Sequence, residues 1–380
     1  MPVRALPWAR GRFHWSNKWG MKHRNMSIQM IAPGILDQSF TKESVDSILM
    51  DFLENRRESS GDPRMARIVK LLEEFMVGGK RIRPVLTVMG WQAAGGETVP
   101  AAVLRVAASL EMFHAFALIH DDIMDDSDTR RGRPTIHRVL AGKLGDDRAE
   151  RFGLGAAVLL GDLAFTWSDQ LLHTAGLTPA QSAAVLPLVT EMRTEVMLGQ
   201  YLDLQATGDL TNDVDATLTV NRYKTAKYTV ERPLHIGAAL AGADAATLAA
   251  CTAFALPLGE AFQLRDDLLG VYGDVRETGK SRLDDLRAGK NTTLVALALR
   301  AADAAQCVRL RTLIGDPALD ESGAGEVRAL FASTGARDTV EHMIVDRYRR
   351  ALEALETAPF TADAVTALKH LALMATRRNS

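Results

Sequence analysis

The sequence predicts an all-α fold, with a single large helical domain over residues 35–380. Apolar residues recur about every 3.6 residues through long segments, and the apolar/polar alternation typical of strands is nearly absent. Capping residues and Gly or Pro breaks separate these segments, and Pro, Gly and Ser do not cluster after residue 62. These features favour a bundle of roughly a dozen helices without an interdomain linker.

The first predicted helix covers residues 45–55, and Thr41 and Ser44 supply the polar caps expected at its start. The clearest amphipathic pattern covers residues 101–126, which predicts one long helix with a single apolar stripe. That stripe consists of Val103, Val106, Leu110, Phe113 and Ala117.

Two later helices also begin at recognisable capping residues. Thr178 followed by Pro179 predicts a helix over residues 180–206, because Pro is favoured at the first helical position. Asp244 predicts the start of a helix over residues 245–269. The breaks between helices contain Gly95, Gly96, Pro100, Gly132, Pro134, Gly176, Gly208, Gly242 and Gly273.

The composition excludes several classes of protein. The 380 residues are 47% hydrophobic and 24% charged, with 29 Gly and 13 Pro, which fits neither a disordered nor a collagen-like chain. The formal net charge of -2 gives no basic surface for nucleic acid. Cys251 and Cys307 are too few for a disulfide framework, which favours the cytoplasm. No uninterrupted apolar run reaches the ~18–20 residues of a membrane span, so no transmembrane segment is expected.

Residues 1–34 are basic and aromatic and lack the apolar centre of a secretion signal. We expect this segment to be a disordered N-terminal extension. Two interpretations of it stay open: a start codon upstream of Met21 or Met26, or an anchor to a membrane surface.

The first chemical signal is an acidic cluster near the end of the helix predicted over residues 101–126. Asp121 and Asp125 are four residues apart, so their carboxylates project from one helix face about one turn apart. Adjacent like charges destabilise a helix unless cations compensate them. Mg²⁺ can do so, because it prefers oxygen and is commonly shared between one or two carboxylates and a substrate phosphate. A solvated acidic helix end is the alternative interpretation.

A second acidic cluster closes the helix predicted over residues 245–269. Gln263, Asp266, Asp267 and Gly270 follow the spacing of one helical stripe. Two helices that end in paired carboxylates predict a site for two or three metal ions between them, for which a diphosphate is the natural bridging ligand.

Basic residues flank both clusters, where an anionic ligand requires positive charge. Arg can bind phosphate through two parallel hydrogen bonds, whereas Lys acts as a point charge. His114 lies two helical turns before Asp121 on the same face, which favours an anion-binding role, whereas His120 and His137 are interpreted as structural. The flanking cations are Lys80, Arg81, Arg83, Arg130, Arg131, Arg133, Lys224, Lys227, Lys280 and Lys290.

In combination these motifs resemble those of the trans-isoprenyl diphosphate synthases (polyprenyl synthetases), and specifically the bacterial geranylgeranyl diphosphate synthases. The motifs are GGKRIRP from Gly78, LIHDDIMDDSDTRRGRP from Leu118, GD at Gly161, KTA at Lys224 and FQLRDD from Phe262. The resemblance implies an isoprenoid-synthase helical bundle around a central cavity, a homodimer and two or three Mg²⁺ per active site.

The resemblance also implies roles for individual residues. The isopentenyl diphosphate site would consist of Lys80, Arg83, His114 and Arg131. The ligands of Mg²⁺ would be Asp121, Asp125 and Asp266, and the catalytic set would also contain Asp122, Asp267 and Lys224. The allylic diphosphate site would consist of Arg130, Lys224, Thr225, Gln263, Lys280 and Lys290.

The second acidic motif departs from the pattern of the family, in which a third Asp is frequent. Gly270 stands at that position here. The departure leaves open whether Asp274 or water supplies the missing ligand, and activity is expected to survive it.

The implied reaction is head-to-tail prenyl transfer above an apolar channel that accommodates the growing chain. Phe116 lies five residues before Asp121, about 7.5 Å down the helix, and Phe113 is one turn farther. Phe116 beside the small Ala117 resembles enzymes with a C20 product, and a C15 farnesyl product is the alternative. A terpene cyclase or a non-catalytic subunit of a heteromeric synthase are rivals; the first lacks its usual second motif here, and the second usually loses the acidic motifs.

Overall fold

The computed structural model describes residues 38–143, 147–273 and 282–377. The predictions for residues 1–34 and for Lys280 therefore lie outside the described residues. Within the described ranges the chain is almost entirely helical, which confirms the predicted all-α class.

In chain order the helices are α1 (Gln38–Ser59), α2 (Pro63–Met76), α3 (Ile82–Ala93), α4 (Ala101–Met124), α5 (Ile136–Ala141), α6 (Ala149–His173), α7 (Pro179–Ala206), α8 (Val214–Asn221), a π-helical segment (Arg222–Glu231), α9 (Arg232–Leu240), α10 (Ala245–Tyr272), α11 (Asp284–Arg287), α12 (Thr293–Ala301), α13 (Ala304–Leu313), α14 (Glu321–Ser333), α15 (Ala336–Glu356) and α16 (Ala362–Thr376). Between α4 and α5, a short antiparallel hairpin pairs β1 (Thr129–Arg130) with β2 (Arg133–Pro134).

The predicted helix starts are confirmed at α7 and α10. Thr178 caps α7 in a capping box with Gln181, and the Asp244 carboxylate accepts a hydrogen bond from the Thr247 backbone N–H at 2.8 Å. The prediction for α1 was wrong, because this helix begins at Gln38 rather than after Thr41. The Thr41 side chain is buried within α1, so it contributes to packing instead of capping the helix.

The interior consists of hydrophobic clusters built around the two long helices that carry the acidic residues. α4 packs against α6, α3 and α1, and α10 packs against α15 and the π-helical segment. Both α4 and α10 are long and apolar enough to cross a membrane, with mean hydropathies of 1.6 and 1.4. In this fold both are core helices. A core helix of a large bundle is apolar around most of its circumference because other helices surround it.

The π-helical segment passes very close to α7 and α10. A Cβ at Gly199 of α7 would overlap the backbone of Lys224, and a Cβ at Gly259 of α10 would overlap Ala226. Glycine is therefore required at both crossings, since any side chain would push the helices apart. The close approach brings Lys224 and Thr225 to the space between the two helices.

The hairpin directly follows the first acidic cluster. Arg131 and Gly132 form its turn with φ angles of 52° and 71°, the combination that a two-residue turn needs to match the twist of its strands. Because both residues have positive φ, the chain reverses directly after Arg130, and the Arg130 side chain contacts Asp122 near the end of α4.

Candidate active site

The two acidic clusters converge on one large cavity. Its volume is about 1040 Å³, and its wall includes Asp121 from α4 together with Asp266 and Asp267 from α10. The wall also contains the predicted site residues Lys80, Arg83, His114, Phe116, Ala117, Arg131, Lys224, Thr225, Gln263 and Lys290. Four predicted residues are not part of the wall. Phe113, Asp125 and Arg130 contact residues that form it, and Asp122 binds Arg130.

Two lysines neutralise the first acidic cluster from across the cavity. Lys224 Nζ lies 3.1 Å from the Asp121 carboxylate and 2.6 Å from that of Asp203, and Lys290 Nζ lies 2.8 Å from Asp125. Burial alone would raise the pKa of Asp121, but Lys224, Lys290 and Arg130 outweigh it and hold that pKa below its usual range. Asp121 is therefore ionised at neutral pH.

Asp122 points away from the cavity and fixes the hairpin. Its side chain is buried, and both of its oxygens accept hydrogen bonds from Arg130 Nε, at 2.8 and 2.9 Å. The same guanidinium reaches Asp121 at 3.1 Å. Arg130 thus holds the two carboxylates in fixed positions. In the structure this residue, predicted for the allylic diphosphate site, binds Asp121 and Asp122.

Hydrogen bonds connect the second acidic cluster to a neighbouring segment. Gln263 connects it to the π-helical segment, accepting from Thr225 Oγ1 at 2.7 Å and donating to Asp267 at 2.8 Å. Burial raises the pKa of Asp267 to about 7; the Gln263 hydrogen bond opposes this effect, while nearby Asp285 and Asp266 add to it. A cation bound at this side of the cavity would reduce the repulsion between the carboxylates of Asp267, Asp266 and Asp285.

The donor set fits a divalent cation that shares its coordination with an anionic ligand. Within the described part of the chain, no three His, Cys, Asp or Glu side chains gather tightly enough to form a closed metal site. Mg²⁺ does not require one, because it is usually bound through one or two carboxylates plus substrate phosphates and water. Carboxylates from two helices that line one cavity match that requirement.

A basic region at the other end of the cavity is built from α3, α4 and the π-helical segment. Arg83 donates to Thr229 Oγ1 at 2.6 Å, and its guanidinium lies 4.1 Å from the centre of the Tyr228 ring. His114 Nδ1 lies 3.3 Å from the Tyr228 hydroxyl. Burial and the surrounding arginines, Arg83 foremost, hold the pKa of His114 well below 6.5, so the ring is neutral and can donate to an anion without adding charge.

Arg81 anchors the loop that carries this basic region. It has a φ of 51°, an uncommon conformation for a residue other than Gly, and its side chain is buried. The guanidinium binds Glu111 at 2.8 Å, Asp46 at 2.6 Å and the Met76 carbonyl at 2.7 Å. This predicted basic residue therefore serves as a structural cation, and it leaves the neighbouring lysine and arginine of the motif facing the cavity.

The deep part of the cavity is aromatic. Phe116 and Ala117 form part of the wall, and Phe113 is fully buried behind Phe116, with their ring centroids 5.2 Å apart. The Phe165 ring from α6 packs edge-on against Phe116 with centroids 5.2 Å apart, and the His120 ring packs against it at an angle of 59° with centroids 4.6 Å apart. His120 also belongs to the wall, so the ring that the sequence marked as structural borders the cavity.

Several wall residues were not predicted from the sequence. Asp203 and Asp285 line the cavity, as does Tyr228. Asp203 had a usable signal, because an acidic residue in the last turn of a helix opposes the helix dipole and needs a compensating reason. Asp285 had none, because an Asp at the start of a helix is favourable in any protein.

Other predicted basic residues have different positions. Lys227 lies away from the cavity wall and binds the buried Glu195 together with Arg232. Arg133 is exposed on the hairpin. Asp274, considered as a substitute ligand, lies outside the described residues.

An all-α bundle with opposed carboxylates, facing cations and a deep apolar cavity defines a class of enzyme that cleaves prenyl diphosphates. The family model for polyprenyl synthetase matches residues 65–331, and the chain belongs to that family. It is accordingly a transferase, a trans-prenyltransferase that makes prenyl diphosphates.

The similar proteins agree with this placement. The chain is 32% identical to a geranylfarnesyl diphosphate synthase of Aeropyrum pernix over 320 residues, covering 83% of this chain and 92% of that protein. It is 34% identical to a geranylgeranyl diphosphate synthase of Mycobacterium tuberculosis over 289 residues, covering 76% and 77%. A crystal structure of geranylgeranyl pyrophosphate synthase from Corynebacterium glutamicum, complexed with isoprenyl diphosphate and magnesium, superposes with a TM-score of 0.86 at 36% identity, covering 90% of this chain and 100% of that one.

Proposed function

We propose that this enzyme condenses isopentenyl diphosphate with an allylic diphosphate, with Mg²⁺, to give geranylgeranyl diphosphate (C20). The observation that carries the proposal is the arrangement of the cavity. Ionised carboxylates and lysines lie at one end, a metal-free basic region lies at a second position, and Phe116 bounds an apolar interior.

Asp121 and Asp125 on one side and Asp266 on the other would hold two or three Mg²⁺ ions. When bound, these ions neutralise the charge that develops on the departing allylic diphosphate. Lys224 and Lys290 already lie within hydrogen-bond distance of the first cluster, so they supply fixed positive charge at the same place. Thr225 and Gln263 hold the rim of the second cluster through their mutual hydrogen bond.

The second diphosphate, that of isopentenyl diphosphate, would bind without metal to the basic region of Lys80, Arg83, His114 and Arg131. Arg83 is kept in place by Thr229 and by stacking on Tyr228. A neutral His114 donates a hydrogen bond there, whereas a protonated His114 would add a fourth positive charge beside Lys80, Arg83 and Arg131.

The apolar wall between these two regions protects the reaction from water. Loss of the diphosphate leaves an allylic cation, which the double bond of isopentenyl diphosphate attacks before a proton is lost. Water would quench that cation, so exclusion of solvent by the aromatic wall is part of the chemistry. We assign the proton to the released diphosphate, since it is the strongest base that remains nearby.

The C20 product is inferred from Phe116 and Ala117. Phe116 blocks the cavity about 7.5 Å below Asp121 by helix rise, and Ala117 leaves room beside it. The relatives include synthases named for C15, C20 and C25 products, and the assignment of C20 to this chain is based on these two wall residues. Each additional C5 unit gains about 4 kcal/mol by burial, so steric limits rather than affinity end the elongation.

The direct test is chromatography of the products formed by the purified enzyme from isopentenyl diphosphate, an allylic primer and Mg²⁺. We expect a C20 diphosphate. A C15 or C25 product would contradict the assigned chain length but would still support the proposed condensation reaction. Incubation with the allylic diphosphate alone separates the rivals, because a cyclase would release hydrocarbon. A chain that is inactive by itself but activates a partner synthase would be a non-catalytic subunit.

We also propose a homodimer formed through α6 and α7. These helices are connected by the 2.6 Å ion pair of Arg193 with Asp169, and together they expose a row of large apolar side chains. The exposed residues that do not line the cavity are Phe152, Leu154, Val158, Leu159, Leu186 and Leu198. Exposed apolar area of this extent is typical of a protein–protein interface.

The dimer is tested by the mass of the purified protein in solution. Leu159→Glu and Leu198→Glu together should give a monomer in multi-angle light scattering. Val308→Glu is the matched control, because Val308 is 67% exposed on α13 and lies apart from this face. A dimer that survives the double change would place the interface elsewhere.

We further propose that residues 35–380 form one catalytic domain and that the enzyme is cytoplasmic.

A further inference from the structure

The second acidic motif lacks a third Asp, and another carboxylate occupies the space that the missing side chain leaves. A Cβ built on Gly270 would overlap an oxygen of the Asp285 carboxylate, with the carboxyl carbon only 3.4 Å away. Asp285 belongs to α11, a different part of the chain, and it lines the same cavity as Asp266 and Asp267. The absence of a side chain at Gly270 is therefore what allows Asp285 to reach this wall.

We propose that Asp285 is the third carboxylate of the second acidic cluster and takes part in binding the divalent cation and diphosphate in place of a residue at position 270. The inference rests on the proposed function, because it concerns the same ligands. An Asp at position 270 would project its carboxylate one helical turn beyond Asp266. Asp285 delivers a carboxylate to that side of α10 from the opposite direction.

The backbone around α11 is held firmly enough to present this carboxylate. Leu286, the next residue, is buried, and its carbonyl accepts hydrogen bonds from Gly289 at 3.2 Å and Gly315 at 2.7 Å. The carbonyl of Asp285 accepts from the backbone N–H of Lys290 at 3.1 Å. These contacts fix the position of Asp285 independently of any bound ligand.

The same segment also connects the two acidic clusters. Lys290, hydrogen-bonded through its backbone to Asp285, binds Asp125 of the first cluster through its side chain at 2.8 Å. One short stretch of chain thus supplies an anion to the second cluster and a cation to the first. A diphosphate that bridges both clusters would lie beside Lys290 directly and beside Asp285 through the divalent cation.

The test measures binding rather than turnover. Mn²⁺ binding to the purified enzyme with inorganic pyrophosphate is followed by electron paramagnetic resonance. Asp285→Asn keeps the shape and removes the charge, and it should weaken Mn²⁺ binding about 10-fold or more. Asp284→Asn is the matched control, because Asp284 is the exposed neighbour on the same helix, and it should bind Mn²⁺ as the unmodified enzyme does.

A second pair of variants separates this role from a general loss of folding. Gly270→Ala adds a methyl group that displaces the Asp285 carboxylate while favouring the helix, so weaker Mn²⁺ binding with an unchanged helical spectrum supports the proposal. Gly270→Asp combined with Asp285→Ala returns a carboxylate to the site and should recover most of the lost affinity.

Unchanged Mn²⁺ binding in Asp285→Asn would overturn the assignment. So would weakened binding that the exchanged pair fails to recover, because the carboxylate would then act only through the structure of α11. Neither result depends on prenyl transfer. Failure of the unmodified enzyme to elongate isopentenyl diphosphate would instead overturn the proposed function.

Discussion

Replacement of Phe116 by Ala tests whether one aromatic ring sets the length of the product. Phe116 belongs to the cavity wall, whereas Phe113 and Phe165 pack behind it with ring centroids 5.2 Å away in each case. Removal of the ring lowers the floor of the cavity by about one ring layer, which matches the 4.5 Å of helix rise between positions 116 and 113, taken as about 1.5 Å per residue. That depth accommodates roughly one further C5 unit, with five carbons worth about 0.8 kcal/mol each. The expected product changes from C20 to C25.

The energies support this direction. One additional C5 unit gains about 4 kcal/mol when it is buried, and in the unmodified enzyme the Phe116 ring opposes that gain by steric overlap. Without a product, Phe116→Ala should lower the free energy of unfolding by about 3 kcal/mol, the low end for a Phe to Ala change, because one side of the ring faces the cavity. A longer product fills the space and should recover part of this loss.

The assay is chromatography of dephosphorylated products formed with a farnesyl diphosphate primer, alongside urea unfolding. Phe165→Ala is the control, since it removes the same atoms from the adjacent ring, which is not part of the wall. It should reduce stability and leave the product length unchanged. Unaltered length in Phe116→Ala, or equal lengthening in both variants, would show that Phe116 is not the floor.

Three further changes test the rest of the site. Asp121→Ala should abolish turnover and leave the circular dichroism spectrum unchanged, and a variant with full activity would reject Asp121 as a metal ligand. Asp267→Asn should stabilise the metal-free protein at pH 8 by about 2–4 kcal/mol, because the fold raises the pKa of Asp267 to about 7. Asp267 is protonated in the folded protein below pH 7, but in the unfolded chain only below its ordinary pKa of 3.8. The extra stability of Asp267→Asn should therefore shrink as the pH falls from 7 toward 4. Urea unfolding in EDTA that shows the same stability difference at pH 5 and pH 8 would contradict this expectation. Arg81→Ala should lower the free energy of unfolding by about 3–5 kcal/mol because it leaves Glu111 buried without its cation, and a loss below about 1 kcal/mol in urea unfolding would contradict this structural role.

The helices themselves could be predicted from local patterns. The apolar periodicity through Phe113 and Ala117 predicted a helix, which the structure confirms, but α4 is buried around most of its circumference and not on a single stripe. Thr178 and Asp244 marked helix starts that the structure also confirms. These signals are local, since capping and 3.6-residue periodicity involve residues within one or two turns. The start of α1 was misplaced because Thr41 could equally cap a helix or pack inside one, and only its neighbours in space decide which.

The sequence by itself also determined the chemical character of the site. Asp121 and Asp125 on one helix face, and a second acidic pair on another apolar helix, predicted that the two pairs share cations. That inference needs only the spacing of charges along two helices.

Only the tertiary structure decided which residues complete the site. Asp203 reaches Lys224 because Gly199 lets the π-helical segment pass close to α7, and Asp285 reaches the second cluster because Gly270 has no side chain. Each of these contacts depends on a glycine in one helix, whose missing side chain leaves space for a residue from another segment. No pattern within either segment records such a contact, because it arises from how closely two helices pack.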